Sequence, residues 1–232
     1  MGLLNLIKED LSQPKLQDPA YKSFIELIFN YPGVWAIVNH RIAHFLWSKK
    51  LYKIARAIAG ISNFLTRVDI HPAAKIGSGV FIDHGTGVVI GETAIVGDNC
   101  LIYQGVTLGG VSLDKGKRHP TLEESVVVGA GAKVLGNIVI GKGSKIGANS
   151  VVVKSVPDGC TAVGIPARTI GECCKKPLAH DNLPDVTKEM LGYLIKRIEI
   201  LENEVSKQGG NISSEDEKLN EIYQKYIQSI KE

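Results

Sequence analysis

A chain of 232 residues that is 44% hydrophobic can bury a core as one large domain or two small ones, which excludes a disordered protein. Its 27 basic residues against 24 acidic ones leave a net charge of only +3, with no block of like charge to follow a phosphate backbone, so no nucleic-acid partner is expected. Leu6 stands where a myristoylation motif needs Ser or Thr, and no apolar run is long enough to span a bilayer, so no membrane association is expected either.

Residues 1–68 read as an α-helical N-terminal region. Apolar residues recur three and four apart at Phe24, Leu27 and Ile28, at Ile42, Phe45 and Leu46, and at Ile54, Ile58, Ile61 and Leu65. Pro32 and Gly33 divide this region, and Trp35 and Trp47 within it are read as packing residues.

From Ile70 the period changes to six. Ile70, Ile76, Ile82, Val88, Ala94, Cys100 and Val106 fall six apart, and Val128, Val134, Ile140, Ile146 and Val152 resume the step. A second slot, four residues on, holds Ala74, Val80 and Thr86, then Ala132, Ile138, Ser144 and Ser150. Hexads of this kind suit a triangular coil: each side is a short strand with an inward aliphatic residue, and glycine or another small residue turns the corner. The twelve hexads predict a mainly β protein, with residues 69–170 forming a parallel β-helix of about four coils. Spacing alone leaves its hand open. Between 109 and 124 the aliphatics give way to charge, glycine and proline, so this stretch is expected to be a loop excursion from one corner, and such a loop can carry function.

Residues 171–232 read as a C-terminal helical tail. Leu191, Leu194, Ile198, Leu201 and Val205 trace a short heptad seam, which would either zip together subunits gathered by the prism or pack on its own prism. The four cysteines, Cys100, Cys160, Cys173 and Cys174, lack C-x-x-C or zinc-finger spacing, and the N-terminus carries no secretory pattern. They are read as reduced thiols in a cytoplasmic protein.

His84 is the informative histidine, two residues beyond an inward aliphatic and so near a corner. An imidazole can accept a hydroxyl proton near neutral pH if a partner fixes its tautomer, and Asp69, fifteen residues earlier, is expected at about the same corner one rung away. Spacing alone leaves a purely structural His–Asp pair as the commoner outcome.

The segments Val68-Asp-Ile-His-Pro-Ala-Ala-Lys-Ile-Gly77, Ile82-Asp-His-Gly-Thr-Gly87, Val89-Ile-Gly-Glu-Thr93, Gln104-Gly-Val-Thr-Leu-Gly-Gly110, Arg118-His-Pro120, Gly129-Ala-Gly-Ala-Lys-Val-Leu-Gly-Asn137 and Ile165-Pro-Ala-Arg168 together resemble the serine O-acetyltransferase family of hexapeptide-repeat acyltransferases. The resemblance implies a left-handed parallel β-helix and attack of the serine hydroxyl on the acetyl-CoA thioester, giving O-acetylserine for cysteine biosynthesis. It implies acetyl-CoA as co-substrate, with no permanently bound cofactor and no metal. His84 would be the general base, Asp69 its orienting partner, and His119 a group across the hydroxyl. Arg118 would hold the substrate carboxylate, and Asp83 with Asp18 its ammonium. Gly109, Gly110, Gly129, Ala130 and Gly131 would line the pantetheine arm in a groove between neighbouring prisms, which implies a homotrimer or a dimer of trimers. The family's tail often ends in isoleucine, which plugs O-acetylserine sulfhydrylase; this chain ends Ile230-Lys-Glu232, which speaks against that complex. Three rival readings are an acetyltransferase for homoserine, a sugar or another alcohol, a zinc carbonic anhydrase of the γ type using His71, His84 and His119, and a non-catalytic scaffold.

Overall fold

The computed structural model describes residues 2–170 and 186–207, which fall into two compact units, Met1–Pro184 and Asp185–Glu232. The first unit opens with four helices: α1 (Leu3–Gln17), α2 (Phe24–Asn30), α3 (Pro32–Ser48) and α4 (Tyr52–Thr66). Pro32 opens α3 at a position whose N–H needs no helical partner, and Arg67 closes α4 in the left-handed region at φ 60°.

Fifteen short strands follow: β1 (Asp69–Ile70), β2 (Lys75–Ile76), β3 (Phe81–Ile82), β4 (Val89–Ile90), β5 (Ile95–Val96), β6 (Leu101–Ile102), β7 (Thr107–Gly109), β8 (Thr121–Leu122), β9 (Val127–Val128), β10 (Lys133–Leu135), β11 (Val139–Ile140), β12 (Lys145–Ile146), β13 (Val151–Val152), β14 (Thr161–Gly164) and β15 (Ala167–Ile170). They form the three faces of a prism. The first face is β1-β4-β7-β10-β13, the second β2-β5-β8-β11, and the third β3-β6-β9-β12-β14, on which β15 folds back antiparallel. All other pairings are parallel, as a continuously wound coil requires. Ile, Val and Leu ladders fill the interior, joined by the buried Ser144 and Ser150 near its end. The two serine hydroxyls are satisfied there by the Pro157 carbonyl and the Gly164 amide.

The strand register corrects the six-residue reading over one stretch. Ile70 pairs with Ile90 and Ile90 with Leu108, so the first coil takes twenty residues where the second takes eighteen. The strand aliphatics are therefore Ile90, Val96, Ile102 and Leu108, while Val88, Ala94, Cys100 and Val106 occupy the second slot. The two extra residues lie in the turn at His84, Gly85 and Gly87, all with φ between 58° and 76°. The loop excursion runs between β7 and β8, so its ends at Gly109 and Thr121 are ladder residues.

The helices are fixed to the prism by two devices. Gly33 lies so close to β3 that a Cβ there would come within 2.1 Å of the Ile82 carbonyl oxygen. Arg41 on α3 forks onto the buried Asp10 of α1 at 2.9 and 3.0 Å, and its remaining donors reach the carbonyls of Ile76 and Gly77. Buried charge is tolerated here because each of the three guanidinium nitrogens has an acceptor.

In the second unit α5 (Val186–Lys207) is a single helix on which Leu194, Ile198, Leu201 and Val205 are each about half exposed. No helix among the described residues is long and apolar enough to cross a membrane. Cys100 is free and buried, its thiol pushed up to about 12 chiefly by burial. Cys160, expected as a reduced thiol, is disulfide-bonded. Spacing in the sequence holds no trace of a bond whose partner is set by folding.

Candidate active site

The expected site residues gather at two neighbouring corners of the prism, one at each end of the first face. The first corner follows β3. There the left-handed backbone of His84 turns its imidazole out to solvent, and Gly85 packs against Gly33 and a methyl of Val68. Asp83 beside it is half-buried. Asp18, at the end of α1, accepts the Tyr31 hydroxyl at 2.6 Å and the Ala20 amide at 2.7 Å. Burial raises the Tyr31 phenol well above its ordinary range, helped by the Asp18 hydrogen bond and the charges of Asp18, Glu26 and Asp83. Tyr103 is raised by burial and by Asp83. Asp18 and Asp83 thus act on a common tyrosine and make this corner acidic.

Above it on successive coils stand Gly87, Gly105 and Gly131, all with left-handed φ near 71–76°. A Cβ at Gly105 would lie 3.4 Å from the Gly131 Cα, and one at Gly131 only 2.1 Å from Asn149 Oδ1. Gly129 and Ala130 enter the same corner, as does Gln104, whose Oε1 is buried without a hydrogen-bond partner. The result is a strip of bare backbone along the prism edge.

The second corner follows β4, where His71, Gly91 and Gly109 stack on successive coils. Arg118 and His119 arrive here at the end of the loop, beside Gly110. Arg118 Nη2 pairs with Glu92 at 2.5 Å, and this hydrogen bond holds the Glu92 carboxyl below the usual carboxylate range. His119 is buried with its ring over Gly91; its Nδ1 lies 2.8 Å from Thr93 Oγ1 and accepts the Thr93 amide at 3.2 Å. Burial, then the charge of Arg118, lowers its pKa and so favours the neutral ring. His71 is lowered chiefly by burial; Trp47 packs edge-on against it and its Nδ1 accepts the Ala73 amide.

Asp69 opens β1 just beyond the first corner. It is exposed on the first face opposite Val89, and no hydrogen bond joins it to His84 among the described residues. The twenty-residue coil sets its rung partner five residues beyond His84. Its neighbour Val68 still touches Gly85, so the two side chains remain in the same region. Nor does one chain unite the two corners: Gly87 to Gly91 is four extended steps, about 13 Å. His84, Asp83, Asp18 and Gly129 to Gly131 belong to one corner, His119, Arg118, Gly109 and Gly110 to the other. Tyr31, Glu92, Thr93, Gly91 and Gln104 join the site with no role assigned to them by the sequence; only folding shows what they touch.

The sequence pattern described as bacterial transferase hexapeptide (six repeats) matches residues 119–154. The serine acetyltransferase of Synechococcus elongatus is 52% identical over 191 residues, covering 82% of this chain and 78% of that protein. The chain belongs to the serine acetyltransferase family. That of Bacillus pumilus is 49% identical over 204 residues, 87% of this chain and 94% of its own. Among solved structures, Neisseria gonorrhoeae serine acetyltransferase in complex with serine is 41% identical, with a TM-score of 0.69 over 73% of this chain and 69% of that one. The Brucella abortus serine acetyltransferase in complex with coenzyme A is 47% identical, with a TM-score of 0.70 over 73% of this chain and 68% of that one. The coil is accordingly the left-handed β-helix of this family. Family membership also sets aside the carbonic anhydrase, the scaffold and the other alcohol acceptors.

Proposed function

We propose that this serine acetyltransferase joins acetyl-CoA and L-serine in a site made by the first corner of one copy and the second corner of the next. The observation that carries this reading is the division of complementary groups between the corners: two carboxylates and an exposed imidazole on one, a guanidinium and a buried neutral imidazole on the other. Asp83 and Asp18 take the substrate ammonium, and Arg118, already bridled by Glu92, takes its carboxylate. His84 removes the hydroxyl proton as the serine oxygen bonds to the thioester carbon. The C–S bond then breaks, and the proton held on His84 passes to the departing CoA thiolate. Asp69 steadies the imidazolium once substrate has closed the site. The bare strip at Gly87, Gly105, Gly129, Ala130 and Gly131, facing Gly109 and Gly110 of the next copy, admits the pantetheine arm. Acetyl-CoA is a co-substrate, and no step calls for a bound metal.

A closed ring of such corners is a homotrimer, which two copies of the helical layer could join into a dimer of trimers. Substrates and products are those of cytoplasmic amino-acid synthesis, and we place the protein there.

CoA release from acetyl-CoA with L-serine tests the reaction, and His84→Ala should lower it by roughly 10²-fold or more. Co-expression of His84→Ala with His119→Ala tests the assembly. If each site draws on two copies, random mixing restores about a quarter of the sites. No recovery would place both histidines in one chain's site.

A further inference from the structure

Thr93 is the hub of the second corner. Its hydroxyl oxygen accepts the backbone amides of Arg118 and His119, both at 3.1 Å. Its carbonyl accepts Lys117 Nζ at 2.6 Å. A threonine hydroxyl has two lone pairs and one proton, so with both lone pairs occupied its proton points at the remaining neighbour, His119 Nδ1, 2.8 Å away. The Thr93 amide is directed at the same nitrogen. Two donors converge on Nδ1 and no acceptor does, so a proton cannot reside there, and the ring carries its proton on Nε2. That nitrogen has no hydrogen-bond partner among the described residues and lies over the glycine seat, 3.3 Å from where a Cβ of Gly110 would stand.

We infer that Thr93 is a positioning residue that locks His119 as the neutral Nε2–H tautomer, making it a fixed hydrogen-bond donor to the oxygen that gains charge during acyl transfer. This rests on the proposed reaction only for its last clause; the tautomer stands on the hydrogen bonds alone. It divides the work of the two histidines, because a ring whose Nδ1 is filled by donors and whose Nε2 already holds a proton has no lone pair with which to act as base. His84 alone is left for that role. The charged and titratable groups around His119 are Arg118 and Lys117 from the loop, Glu92 from the corner below and His71 from the first coil. The two loop cations oppose its protonation and Glu92 favours it.

The test is long-range proton–nitrogen correlation spectroscopy of the full chain labelled with ¹⁵N-histidine, with the His119 signal assigned by its loss in His119→Asn. The expected wild-type signal is a single Nε2–H tautomer at neutral pH. In Thr93→Val the hydroxyl donor is lost, so the signal should broaden toward a mixture of tautomers and the titration midpoint of His119 should rise. The same variant should lose about 10- to 100-fold in kcat with KM values little changed, as expected for a misplaced group that acts in the transition state. Thr93→Ser keeps the hydroxyl and should restore both the signal and kcat. A wild-type His119 protonated on Nδ1 or on both nitrogens would overturn the inference. So would a Thr93→Val protein whose His119 spectrum and titration match the wild type. If the reaction itself were wrong, the spectra would still show the lock while the kcat effect vanished.

Discussion

Replacing Gly91 with alanine tests the placement of His119 most sharply, because the change adds one methyl group at a backbone position that any residue can adopt. The new Cβ would lie 2.1 Å from both Cδ2 and Nε2 of His119 and 2.9 Å from Cε1. Ordinary carbon contacts begin near 3.5 Å, so the ring must retreat by about 1.4 Å. Its Nδ1 bond to Thr93, now 2.8 Å, cannot survive that movement with useful geometry. A displacement of about 1 Å in a positioned group costs on the order of 10²-fold in rate. Stability should fall by about 1–2 kcal/mol, because two lost hydrogen bonds of about 1 kcal/mol each outweigh the 0.4–1 kcal/mol or so that alanine gains by restricting the unfolded chain. The assay is initial-rate CoA release with serine, alongside a thermal melt. Gly116→Ala is the control, since it lies in the loop that carries His119 with nothing within 4 Å of its Cβ position. If Gly91→Ala keeps its kcat within about 3-fold of wild type, His119 takes no part in the reaction.

Three other outcomes follow from particular contacts. Arg41→Ala leaves Asp10 charged and buried without its partner, so urea denaturation should show a loss of about 3–5 kcal/mol, most of it recovered when Asp10→Leu and Arg41→Met are combined; a loss under about 1 kcal/mol would mean the pair is better hydrated than its burial indicates. Tyr31→Phe removes the hydroxyl that Asp18 accepts, and the KM for serine should rise about 3- to 10-fold with kcat nearly unchanged; an unaltered KM would remove Asp18 from the ammonium pocket. Burial, aided by the charges of His44 and Arg41, pushes His40 down to about 3, so between there and the ordinary 6.5 the unfolded chain binds the extra proton. Stability should therefore fall with pH through that window by up to about 1.4 kcal/mol per unit, and His40→Leu should flatten the profile; an unchanged slope would assign the acid sensitivity to other groups.

The coil is legible in the sequence because each hexad buries its own aliphatic residue on its own side, a local requirement repeated in every turn of the prism. The helices between Phe24 and Thr66 and α5 are legible for the same reason, each showing its face at helical spacing. The register between Ile82 and Leu108 is not. Both slots of the hexad point inward and both accept aliphatics, so Val88 and Ile90 satisfy the pattern equally well, and a two-residue insertion at the His84 turn leaves the period of six intact. That small ambiguity decides that Asp69 lies opposite Val89. The identities of His84, Arg118 and His119 could be read from their segments, but not the grouping of site residues into two corners, because corners are made by residues eighteen to twenty-six positions apart in register. Thr93 and Gly91 lie in a segment that carries the resemblance, but their roles are not legible there, for a related reason: a hydroxyl that fixes a tautomer and a glycine that seats a ring have no signature of their own. Their meaning lies in the imidazole that the loop brings back across twenty-six residues of chain, and only the tertiary structure supplies it.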